Sequence, residues 1–137
     1  MDFRAILFHK QATSARLRFL LFSYGSVCAL EKLPVPAQVH ETCSGSPRLH
    51  PASVLQQIAC SIGLSAEKLR AEPAYRVEVE VAGALIQIVL IAIDSIDPPF
   101  EHAEQIGARF IDLTQARGLP PVELELLRRA YESVLGG

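Results

Sequence analysis

"EPAYRVEVEVAGALIQIVLIAIDSIDPP", Glu72 to Pro99, changes character at its middle. Tyr75, Val77, Val79 and Val81 alternate with Arg76, Glu78 and Glu80, the period-2 pattern of a strand with one wet face. Ala82-Gly83 breaks the run, and Gly83 is free to take positive φ. From Ala84 to Ile93 only Gln87 is polar, as in a strand covered on both faces. Ten residues are half of what a membrane-spanning helix needs, roughly 20. The apolar half is therefore core, and 75–93 is a hairpin that Pro98 and Pro99 terminate. Ile88, Leu90 and Ile91 are expected to be buried.

Working outward, 3–8 (FRAILF) and 16–24 (RLRFLLFSY) read as further strands. Residues 34–50 hold three prolines and the run "SGSP", the composition of a loop. Pro51 opens a helix with Val54, Leu55, Ile58 and Ile62 on its inner stripe and Gly63 as its stop. Ser65 caps a short helical turn to about Ala71. In Phe100–Arg117, Ala103, Ile106, Phe110 and Leu113 share one helical face, and Gly118 stops the helix. Pro120-Pro121 starts a last helix with Leu124, Leu127, Tyr131 and Val134 inward, so the two form a C-terminal αα-hairpin. The expectation is one α+β domain over 1–137. Its antiparallel sheet has about three to five strands, and its helices pack on one face.

The chain has 137 residues, half of them apolar, and a net charge of −2. That suffices for a core and excludes a global field directed at nucleic acid. Residues 1–70 carry 8 Lys+Arg and 4 Asp+Glu, and residues 71–137 carry 5 and 11. Opposite halves favour contact within a fold or between copies. Cys28, Cys43 and Cys60 form no paired spacing, which favours a reducing, cytoplasmic setting. Phe19–Phe22 is too short for a secretory h-region of roughly 7–15 residues.

Four constellations carry chemistry. "LQQIACSIGLSAEKL" looks like a helix-turn-helix, with Ala59 at the crossing, Gly63 at the turn, Ser65 as cap and Leu69 inside the second helix. Pro73 ends that helix within two turns, and only Lys68 and Arg70 are cationic, so nucleic acid is not the expected partner. His40, Cys43, His50 and Cys60 are metal-ligand types, with Glu41 beside them. Their spacing fits no structural zinc pattern, and no metal or cofactor is expected. In "DSIDPPFEHAE", Asp97 is placed to cap a helix with Glu101 and Glu104 in its first turn; the sharper reading pairs Asp97 or Glu101 with His102 as acid and base. Arg4, Lys10, Arg16 and Arg18 suit a charged edge strand more than a membrane surface.

The leading expectation is a non-enzymatic cytosolic binding or accessory protein acting through protein contacts. A small acid–base enzyme at Asp97/His102 and a DNA-binding regulator through 54–71 are the alternatives. A homodimer is expected through the flank Leu126, Ala130 and Leu135 or the inner edge of the hairpin, unless 3–24 covers that flank within the chain.

Overall fold

A computed structural model of the chain describes residues 3–11, 16–34, 37–41 and 51–135. The strands are β1 (Phe3–Lys10), β2 (Leu17–Leu21), β3 (Cys28–Ala29), β4 (Gln38–Glu41), β5 (Leu69–Ala71), β6 (Val77–Val81), β7 (Ala84–Ile93) and β8 (Arg109–Ile111). The helices are α1 (Pro51–Ile62), α2 (Phe100–Gln105) and α3 (Pro121–Leu135).

The hairpin forms as its pattern dictates. Val81 faces Ala84, and the two-residue turn has φ of 52° at Ala82 and 83° at Gly83. Leu90 and Ile91 point to opposite faces of β7, and both are 0 % exposed. A strand can be dry on both sides only at the centre of a covered sheet.

That centrality corrects the expected sheet. It is mixed and has eight strands, in the order β4-β6-β7-β1-β2-β8, with β3 also paired to β1 and β5 to β7. β1 runs parallel to β7, Phe3 facing Gln87 and Phe8 facing Ala92. The helices lie on both faces, not one. Leu126, Leu127 and Ala130 of α3 pack with Ile6, Phe8, Phe19 and Leu90. Val54, Ile58 and Ile62 of α1 and Ala103 of α2 pack with Ala5, Leu7, Leu20 and Ile91.

There is no C-terminal αα-hairpin. α2 stops at Gln105, and Gly107, at φ 75°, turns the chain into β8, which pairs with β2. A Cβ at Gly107 would also stand 3.3 Å from Ser23 Cβ. Asp112 then caps a single 3-10 turn, Leu113–Ala116. The turn after α1 is equally short. Ser65 caps Ala66–Lys68, and Leu69–Ala71 becomes a strand pairing with Ile91–Ile93.

Parts of both expected dimer surfaces are covered within the chain, while Leu135 of the flank is half-buried. Leu126 and Ala130 are 0 % exposed, covered in part by β1 and β2, and the inner edge of the hairpin is paired to β1. Tyr131, expected inward, is 41 % exposed. Part of the 34–50 loop is strand β4; Cys43 and His50 fall outside the described residues. Among the described residues no helix is long and apolar enough to cross a membrane.

Candidate functional site

The junction after β7 is where sequence chemistry and structure meet. β1 and β7 are parallel, so their C-terminal ends open together onto the loop 94–99 and the start of α2. His9, on β1, is 0 % exposed, and its Nε2 lies 2.8 Å from the Ser95 carbonyl oxygen. A carbonyl only accepts, so Nε2 carries a proton. Nδ1 is buried, with no hydrogen-bond partner among the described residues. Ser95 Oγ donates to the Asp97 carbonyl at 2.7 Å. Arg18 Nη1 donates to Gln11 Oε1 at 3.0 Å, and Gln11 Nε2 donates to Asp97 Oδ1 at 3.3 Å. The Arg18 guanidinium also lies 5.5 Å from the centre of the Phe100 ring, within cation–π range. Phe100 meets Phe110 of β8 edge to face at 5.7 Å.

These bonds hold a corner that projects apolar side chains. Ile96 is 90 % exposed and Phe100 is 52 % exposed. Asp97 therefore does not cap α2. Pro99 holds the cap position, with no side-chain bond, and Asp97 turns to Gln11. His102 Nε2 donates to the Ile62 carbonyl, satisfying one of the free carbonyls at the end of α1. The ring packs over Gly63, where a Cβ would stand 3.3 Å from His102 Cε1. The crevice beside His102, lined by Leu20, Ile62, Ile93, Ile106 and Phe110, holds about 10 Å³, room for one water at most. Asp97 and His102 thus each have a separate structural partner, and Glu101 is exposed.

The other named residues are dispersed. His40 on β4 lies 3.3 Å from Glu80 on β6, and Cys60 is exposed on α1. Among the described residues no three His, Cys, Asp or Glu side chains gather as a metal site. The 65–71 segment contributes a turn and a strand, so no second helix follows α1 to read bases.

Two hollows lie elsewhere. An open one of about 470 Å³ runs between Ala74–Val77 and the last turns of α3, beside Arg76, Arg129 and Glu132. Tyr75 closes its floor, donating through its hydroxyl to the Leu126 carbonyl at 2.9 Å. Another, about 280 Å³, is lined by Phe3, Arg4, Leu30, Glu31 and Gln57. Arg4 is 4 % exposed, and its Nη2 stands 3.4 Å from Glu31 on the rim.

Sequence reasoning found this junction but missed His9, Gln11 and Ile96, and read Arg18 only as a charge on an edge strand. The available signals were a histidine following the apolar run of "FRAILFHK" and a lone isoleucine in the polar corner "DSIDPP". No family model matches the chain, and no curated protein matches it.

Proposed function

We propose that this chain is a non-enzymatic binding protein whose contact element is the corner 94–100. The observation that supports this reading is the exposure of Ile96 and Phe100 on a corner tied down by His9, Gln11 and Arg18. Single exposed apolar residues are ordinary on protein surfaces. Two large ones on a hydrogen-bonded corner differ, because their ordering cost is met before a partner arrives. Burying what remains exposed of both would contribute about 2–4 kcal/mol, the scale of an interface hot spot. A cytosolic setting belongs to the same proposal, supported by the free thiols of Cys28 and Cys60. So does self-association, with the corner itself as the surface on offer.

The test is photo-crosslinking in cells from a photoreactive residue at position 96, with exposed Gln115 as the comparison site. Discrete adducts from 96 that are absent from 115 and lost in Phe100→Ser are expected; an adduct of twice the chain mass would make the partner a second copy. No adduct from 96, or the same adducts from both sites, overturns the reading.

A second reading rests on Arg4. A buried guanidinium at the floor of a hollow, facing a carboxylate that is 77 % exposed, suits a small anion that displaces Glu31. Calorimetric titration with inorganic phosphate and with acetate, against Arg4→Met, tests it.

A further inference from the structure

We infer that the corner 94–100 is a pH-responsive latch, closed while His9 is neutral and released when its Nδ1 takes a proton. The inference rests on the contact reading above and concerns its regulation.

In the closed corner one face of the imidazole chemistry is used and the other is not. Nε2–H is spent on Ser95, and buried Nδ1 makes no hydrogen bond among the described residues. A proton taken from solvent at Nδ1 creates a second N–H and a unit of positive charge. Neither has a partner where the ring now sits, and a buried, uncompensated charge is costly. The charged groups on the surrounding elements do not relieve it. Lys10 follows on β1, and Arg18 is the register partner on β2. Asp94, after β7, is held by Arg70 of β5 at 3.1 Å, and Asp97 is held by Gln11. Glu101 is exposed on α2, and His102 is committed to Ile62. The nearest charge in register is therefore a cation.

Relief comes from swinging the ring to water, which breaks the bond to Ser95. The open corner binds one more proton than the closed one, so falling pH favours opening. A one-proton latch shifts its open population by at most about tenfold per pH unit.

The test is NMR of the full chain from about pH 7.5 to 5.5, following the His9 ring and the amides of Ser95, Ile96 and Phe100. We expect the three amides to move in step with the ring, on a one-proton curve, while Val77–Val81 stays still. In His9→Gln, whose amide can still donate to Ser95, the three amides should no longer respond. Should that variant not fold, the co-titration in the native chain decides alone. Amides that stay fixed while His9 charges, or that move equally in His9→Gln, overturn the latch. So does a His9 ring that stays neutral until the whole chain unfolds. Crosslinking from position 96 at neutral pH reads the contact proposal separately, since opening needs no partner.

Discussion

The two faces of the sheet are held by different chemistry. On the α3 face the core is built from large side chains: Ile6, Phe8, Phe19, Ile88, Leu90, Leu126 and Leu127. Its polar insertion is Glu123, 2 % exposed, whose Oε1 accepts from Ser26 Oγ at 3.0 Å and from the Val27 amide at 2.9 Å. One carboxylate thereby ties α3 to the bend before β3. On the α1/α2 face the core mixes Ala5, Ala29, Ala59, Ala103 and Ala108 with Leu7, Ile58 and Ile91. Its polar insertions include His9 and His102, each bonded to one backbone carbonyl. The α3 face is fastened by a group that gathers donors, and the other by rings that donate.

Truncating β7 tests whether both faces are true cores. Leu90→Ala, facing α3, and Ile91→Ala, facing α1, are each expected to cost roughly 2–5 kcal/mol in denaturant melts. A loss below about 1 kcal/mol at Ile91 alone would reduce the α1/α2 face to a loose cover.

The polar fasteners should separate by a smaller margin. Glu123→Ala leaves a buried hydroxyl and a buried amide without their acceptor, at about 2–4 kcal/mol. His102→Ala releases a single helix-end carbonyl, at about 1 kcal/mol. Equal losses in thermal melts would erase the distinction between the faces.

The pH dependence sharpens it further. Burial, with the Glu123 charge nearby, pushes the Cys28 thiol from 9.0 up to about 12. Burial, with Cys28 beside it, moves the Tyr24 hydroxyl from 10.0 to about 12. Tyr75 shifts upward by burial as well. Groups raised in the fold add stability that is complete below their unfolded values and is lost as pH rises toward the folded ones. Stability should therefore fall from about pH 9 toward 12, and Cys28→Ala should delay the onset of the fall. An unchanged alkaline limb in that variant would remove Cys28 from the account.

What could be read from sequence was what is local. The β6–β7 hairpin, α1 and α3 announce themselves by period and by Gly83, Gly63 and Pro121. The segment 100–117 misleads because Ala103, Ile106, Phe110 and Leu113 keep a helical period through a chain that leaves the helix at Gly107. Its pairing partner β2 lies some ninety positions earlier, Leu21 facing Arg109, and no local pattern encodes that. The parallel β1–β7 pair was hidden for the same reason. So was the rotation of α3, whose buried side includes Glu123 because Ser26 and Val27 wait there. At the candidate site the crowd of charges was legible, whereas its organiser, His9, comes from the far end of the chain.

β1 also imposes a waiting time. Its strand partner β7 begins to face it only at Gln87, 84 positions after Phe3 (87 − 3). At about 5–20 residues per second, a ribosome needs roughly 4–17 s to supply that partner. Through that interval Ala5, Ile6, Leu7 and Phe8, all buried in the finished sheet, have at most β2 and β3 for company. An apolar strand with an open edge is a template for pairing with another chain. The same central position that makes β1 the spine of the fold makes nascent chains of fewer than about ninety residues the form most in need of a chaperone.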